Sequence, residues 1–160
     1  YIPNEEYMDC VNYTGSLIIP YTVTIIGFKS FFGCIGFTGK LVIPNLVTEI
    51  GFQAFYGCEN LEYVIFTENS RLKSIKNRAF SASSLKCISI PQNVTEIFYL
   101  AFFNCKKLEI IEINDISRLQ FFNIDTFSYD LSNNKIIVKE YVLTILCKFK
   151  NMFSSSFSIF

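Results

Sequence analysis

The sequence predicts a solenoid of stacked coils, each with one short parallel β-strand and with turns or short helical segments on the other side. Two observations predict it: a phrase recurs every 22 to 25 residues, and a short apolar run closes each copy. The clearest copies, Ile26–Cys34 and Ile50–Cys58, are identical except at three positions. A unit of this length cannot bury its own apolar face and has to stack on its neighbours.

Several columns of the repeat stay in phase at once, which fixes the register. The aromatic column contains Phe31, Phe55, Phe80, Phe102 and Phe127. Three residues after the aromatic position stand Cys34, Cys58, Ser83 and Cys105. Because like positions of stacked coils align along the solenoid axis, we predict a phenylalanine ladder in the core with a column of small residues beside it.

The apolar run that closes each copy is predicted to form the strand. In Leu61–Phe66, Val64 and Phe66 alternate with Tyr63 and Ile65, so the first pair faces the core and the second faces outward. Stacked strands would form a parallel sheet. Gly51 and Gly57 are expected to let the backbone curl around the aromatic turn, and the prolines that follow several of the runs are expected to end the strands.

The outward side chains of these strands form the candidate ligand-binding face. On this register the face contains Lys40, Val42, Tyr63, Ile65, Cys87, Ser89, Ile110 and Glu112. An exposed apolar strip of this kind is typical of protein contact sites. Two alternatives stay open: β-branched residues simply suit a sheet, or the strip packs against residues 129–160.

The six cysteines are predicted to be mostly buried free thiols. Cys34 and Cys58 stand one coil apart, where a small apolar side chain packs well, although neighbouring coils also bring such residues near disulfide distance. No histidine and no Cys-x-x-Cys occurs, so no metal site is predicted. Cys87, which faces outward, and Cys147, which lies beyond the repeats, are the more reactive candidates.

Composition and motifs argue against several functional classes. The absence of histidine removes the commonest general base, and no nucleotide-binding or hydrolase motif is present, so no enzyme, no catalytic residue and no cofactor is predicted. With 14 basic and 14 acidic residues, the chain lacks the charge excess of a nucleic-acid-binding protein. The apolar run 141–147 is too short to insert in a membrane.

The chain divides into a solenoid over residues 1–128 and a C-terminal cap or irregular tail over residues 129–160. The solenoid has about five to six coils and begins in the middle of a repeat, which suggests a fragment of a longer protein. Two sequons make Asn12 and Asn93 candidate glycosylation sites, both at expected turns.

Residues 2–128 resemble the BspA-like class of leucine-rich repeat. The resemblance is carried by Ile43-Pro44, Val47-x-x-Ile50-Gly51, Ala54-Phe55-x-x-Cys58 and Leu61-x-x-Val64-Ile65-Phe66. The last copy departs from the pattern, since Phe122-Asn123 replaces Ile-Gly and no cysteine follows Phe127. The resemblance implies a curved leucine-rich-repeat solenoid of the kind found in surface proteins and discussed as adhesins.

These observations favour a non-enzymatic module of a cell-surface or secreted protein that binds host or other cell-surface proteins. Two alternatives stay open: an intracellular, cytoplasmic scaffold that keeps its thiols reduced, and a non-functional fragment of an expanded repeat family.

Overall fold

The computed structural model describes residues 1–113, 118–122, 126 and 135–138, and of residues 121–122 and 135–138 the backbone alone. Each coil contributes a longer and a shorter strand to two separate parallel sheets. The long-strand sheet contains β2 (Gly39–Ile43), β4 (Leu61–Phe66), β6 (Cys87–Ile90), β8 (Ile110–Ile113) and β10 (Lys135–Val138). The short-strand sheet contains β1 (Ile25–Ile26), β3 (Glu49–Ile50), β5 (Ser74–Ile75), β7 (Glu96–Ile97) and β9 (Phe121–Phe122).

The long-strand sheet has the predicted parallel arrangement, with strands in the order β10-β8-β6-β4-β2. Inside it, Leu41 pairs with Val64, which pairs with Ile88, which pairs with Ile111. All four are buried. β2 and β6 end directly before Pro44 and Pro91, which carry no amide hydrogen for another ladder bond. β10 lies in the segment assigned to the tail and pairs with β8 in the same parallel sense.

The predicted parallel-strand solenoid is confirmed, but the second, short-strand sheet was not predicted. Each of its strands has two residues, and Ile26, Ile50, Ile75 and Ile97 point from them into the core. A two-residue strand offers too little alternation to be recognised in a sequence. Each coil thus has three sides, two formed by the sheets and one formed by turns, and its apolar interior lies between them.

Consecutive turns, not helices, form the third side of each coil, and no α-helix occurs in the described part of the chain. Every second amide there donates to the next coil: Phe31 N–H to the Ala54 carbonyl and Phe55 N–H to the Ala79 carbonyl, both at 2.8 Å. The amides between them close turns within their own coil, as Phe32 N–H does on the Lys29 carbonyl at 3.1 Å. Lys29 lies at φ +50°, in the left-handed region, which prevents a helix from continuing through it.

The two glycines of the aromatic turn have different roles. Gly57 has φ +70°, so it curls the backbone as expected. Gly51 has no positive φ; instead, a Cβ built on it would lie 2.7 Å from the carbonyl carbon and oxygen of Gly27 in the preceding coil. Gly51 therefore permits close coil-to-coil approach and does not make the turn, which corrects the expectation for this position.

The phenylalanine column is a continuous stack through the core. Ring centroids are separated by 5.1 Å between Phe31 and Phe55, 5.3 Å between Phe55 and Phe80, and 5.6 Å between Phe80 and Phe102, with interplanar angles of at most 5°. All four rings are essentially inaccessible to solvent. The predicted fifth member, Phe127, lies outside the described residues.

The cysteine column has a polar role as well as a packing role. The Sγ of Cys34 donates to the Tyr7 carbonyl at 2.8 Å, that of Cys58 to Phe31 at 3.2 Å, and that of Cys105 to Phe80 at 3.1 Å. All three thiols are buried and free, so the Cys34–Cys58 disulfide left open by the sequence is not formed. Each of these carbonyl oxygens also accepts an amide hydrogen within its own coil, so the thiol adds a second hydrogen bond that joins the two coils.

Candidate interaction face on the long-strand sheet

The long-strand sheet brings the eight candidate face residues together in two rows. In the first row, Lys40 pairs with Tyr63, Tyr63 with Cys87, and Cys87 with Ile110. The second row lies two residues further along each strand. There, Val42 pairs with Ile65, and Ser89 pairs with Glu112. Since strands of one sheet stand about 4.8 Å apart, the four strands carry these side chains across roughly 15 Å.

The aliphatic members of the face are more exposed than core residues of the same type. Val42, Ile65 and Ile110 expose 41%, 42% and 37% of their surface, whereas the inward Ile88 and Ile111 expose 2% or less. A protein surface can carry single exposed apolar residues without consequence, but here they occupy neighbouring strands of one sheet. The face therefore presents an apolar strip to solvent.

Ile18 extends this strip and was missed in the sequence analysis. It pairs with Val42 through an isolated parallel bridge and exposes 83% of its surface. The signal was available, because Tyr13–Pro20 aligns with Phe37–Pro44 and places Ile18 in the column of Val42.

A groove of about 650 Å³ lies on this sheet over β4 and β6. Its lining includes Lys40, Tyr63, Ile65, Cys87 and Ser89 of the candidate face. The far end is formed by the loops after the two strands, lined by Thr67, Asn69, Ser70, Pro91, Gln92 and Asn93. These loop residues were not among the sequence-predicted site residues. The loop after β4 had a signal, since Phe66 to Leu72 spans six residues where Ile43 to Val47 spans four, but the loop after β6 had none, since Ile90 to Val94 also spans four.

A lysine lines the groove and an ion pair lies beside it. Lys86 lies 3.0 Å from the Glu62 carboxylate and holds its ammonium group 5.5 Å from the centre of the Tyr63 ring. The hydrogen bond to Glu62 raises the pKa of Lys86. Lys40 lines the groove itself, and no carboxylate does. The arrangement therefore presents an apolar floor beside two cations, one of which already has an acidic partner.

The two sequons differ in what their asparagines contact. Asn12 is exposed in a turn. Asn93 is half-buried, and its Nδ2, the atom that would carry a glycan, donates to the Ser70 carbonyl at 2.7 Å. Asn12 is thus the freer acceptor, and glycosylation of either residue stays a prediction.

Metal binding and thiol reactivity have little support in the described residues. Across residues 1–113 and the shorter described segments, no group of three His, Cys, Asp or Glu side chains is arranged to hold a metal ion. Burial raises the pKa of the Cys34 and Cys105 thiols to about 11, so both stay protonated and poorly nucleophilic near neutral pH. Cys87 is half-buried on the face, and Cys147 lies outside the described residues.

No helix within the described segments has the length and apolar character of a membrane span. None of the curated protein sequences matches the chain significantly.

Solved structures of bacterial leucine-rich-repeat proteins have the same fold. A leucine-rich-repeat protein of T. pallidum matches 79% of the chain with a TM-score of 0.67 and 22% identity. The pneumococcal vaccine antigen PcpA matches 91% with a TM-score of 0.62 and 19% identity. A leucine-rich cell surface protein of Faecalibacterium prausnitzii matches 71% with a TM-score of 0.57 and 24% identity. The chain spans only 58%, 44% and 36% of the respective proteins.

The sequence model of the BspA type leucine rich repeat region matches residues 1–134 in six copies. This match covers most of the chain, and it agrees with the two parallel sheets and the stacked aromatic column. The chain therefore belongs to the BspA-type leucine-rich-repeat family.

Proposed function

We propose that the chain is a non-enzymatic protein-interaction module of a cell-surface or secreted protein, and that it binds host or other cell-surface proteins through its long-strand sheet. The observation that carries the proposal is the exposed apolar strip, in which Ile18, Val42 and Ile65 occupy three successive coils. Desolvating such a strip supplies much of the free energy of protein association.

Two comparisons support a surface location. One similar structure is that of a leucine-rich cell surface protein, and another is that of a vaccine antigen. Membership in a repeat family supports the interaction role, because stacked coils build an extended surface whose outward positions can vary without disturbing the core.

The test has two parts. An antibody against the segment is applied to intact and to permeabilised source cells, and signal on intact cells is expected. The purified segment is then tested for binding to cells, with Ile65→Glu expected to weaken binding at least about tenfold because it buries a charge in the contact. Phe52→Glu is the matched control, since Phe52 is exposed to a similar extent, 37%, but lies on the turn side. Equal loss in both variants would contradict the assignment of the face.

A second candidate, an intracellular scaffold, is favoured by one observation. The described cysteines are all free, and reduced thiols are more usual in a reducing compartment than in secreted proteins. Antibody signal only after permeabilisation would favour the scaffold.

A further inference from the structure

The groove crosses three neighbouring strands, with small outward residues at one end and a lysine at the other. Its outward lining residues are Cys87 and Ser89 from β6, Tyr63 and Ile65 from β4, and Lys40 from β2. β6 and β2 stand two strand spacings apart, about 10 Å, which about three residues of an extended peptide span. A short extended peptide that crosses the strands can therefore reach from the small residues of β6 to Lys40.

Lys40 is the one charged side chain that lines the groove. It makes no ion pair within the described residues, unlike Lys76, which lies 3.5 Å from Glu49, and Lys86, which lies 3.0 Å from Glu62. An unpaired ammonium group beside an apolar floor is complementary to a carboxylate of a partner protein.

The far end of the groove offers hydrogen bonds to a peptide backbone. Asn69 and Gln92 are exposed there, and each side-chain amide has both a donor and an acceptor. Since the sheet already pairs its own strands, a peptide lying on its face must obtain backbone hydrogen bonds from side chains of this kind.

We infer that the groove binds an extended segment of a partner protein that places a branched aliphatic side chain over Cys87 and Ser89 and an Asp or Glu carboxylate at Lys40. The inference rests on the proposed function, because it names the kind of protein segment that the face takes. Alternate residues of an extended chain project on the same side about 7 Å apart. The flexible Lys40 side chain can cover the remaining distance from β2. The acidic and aliphatic residues of the segment are therefore two positions apart.

The test starts from a phage-displayed library of random dodecapeptides selected on the folded chain. We expect enriched peptides to share an acidic residue two positions from Leu, Ile or Val. In a synthetic copy of an enriched peptide, Glu→Gln or Asp→Asn should weaken binding about tenfold, and Lys40→Met in the protein should do the same. Lys73→Met is the matched control, since Lys73 is exposed but does not line the groove.

Cys87 provides a readout at the groove itself. Bound peptide should slow alkylation of Cys87 by iodoacetamide, located by mass spectrometry, and leave Cys10 unchanged, because Cys10 is also half-buried but lies in the first coil. Unchanged unfolding curves for Lys40→Met would show that the variant is folded.

The outcomes separate this inference from the proposed function. Enriched peptides without an acidic residue, whose binding depends on Ile65 but not on Lys40, would overturn the inference and leave the proposed function standing. Peptides that depend on neither residue would overturn both. A Cys87 that is already unreactive in the free chain, with no peptide able to compete, would show that the chain fills its own groove and would also overturn the inference.

Discussion

The turn side and the long-strand face of this solenoid use repetition in opposite ways. Along the turn side, the same residue type recurs in four successive coils as Phe31, Phe55, Phe80 and Phe102. Along the first row of the face, the same coil-to-coil relation joins a lysine, a tyrosine, a cysteine and an isoleucine. Stacking therefore dictates identity in the core and leaves it open on the face.

The physical reason is what each side chain contacts. Phe55 lies between two other buried rings, with centroid distances of 5.1 Å and 5.3 Å. Only another phenylalanine fills that space well, because protein interiors tolerate neither a void nor an extra atom. An outward residue such as Tyr63 contacts solvent on one side and needs only to tolerate its lateral neighbours. Variation on the face is thus free to encode recognition.

Among these substitutions, Phe55→Ala should have the largest effect on stability. We expect it to lower the free energy of unfolding by about 3–5 kcal/mol, because it leaves a cavity between two stacked rings. Urea unfolding of the purified segment measures the loss. Ile65→Ala is the face control and should cost less than about 1 kcal/mol, since Ile65 is 42% exposed. Comparable losses in the two variants would mean that the face is also part of the packed core.

The cysteine column should make the free energy of unfolding depend on pH. Burial raises the pKa of Cys105 to about 11, so the folded chain keeps this proton in a pH range where an unfolded cysteine loses it. The contribution to stability is fully present below about pH 9 and is lost as the pH rises towards 11. The expected loss is about 2 to 3 kcal/mol at most, since each unit of pKa corresponds to about 1.4 kcal/mol.

Urea unfolding at pH 8 and at pH 10.5 measures this loss. Cys105→Ser is the matched control, because Ser83 already occupies the same column. Tyrosine and lysine titrate in both proteins, so only the difference between them reports on Cys105. An identical pH dependence of the two proteins would contradict the prediction.

The core was more predictable than the site, for the same reason that the core repeats. The phenylalanine ladder could be placed because each ring constrains the next, so the sequence shows the constraint several times over. The short-strand sheet was missed because its strands, such as Glu49–Ile50, are too short to show a period. The positive φ of Lys29 recurs at the same repeat position in Glu5 and Gln53, but none of these residue types signals it in the sequence.

The candidate face could be assigned by alternation, but the groove could not. Alternation tells which side chains of β4 and β6 face outward, yet it does not tell that the loops beyond them rise beside the sheet. Only the loop after β4 departs from the repeat in length, and its extra length does not tell where its side chains lie. The groove is also lined by pairs such as Lys40 and Tyr63, which only the stacking of coils brings side by side.

Lys76 joins three coils at the surface through its charge. Its Nζ lies 3.5 Å from Glu49 and 3.9 Å from Glu96, and 4.5 Å from the centre of the Phe98 ring. The lysine crosses the coils as the phenylalanines do, but its ammonium group is partly solvated and both carboxylates are over a third exposed. We expect Lys76→Met to cost less than about 1 kcal/mol and the cost to shrink further in 1 M salt. A loss that approaches that of Phe55→Ala, or that salt does not change, would show that contacts between coils are strong wherever they recur; the expected small, salt-sensitive loss would show that they are strong only where they are buried.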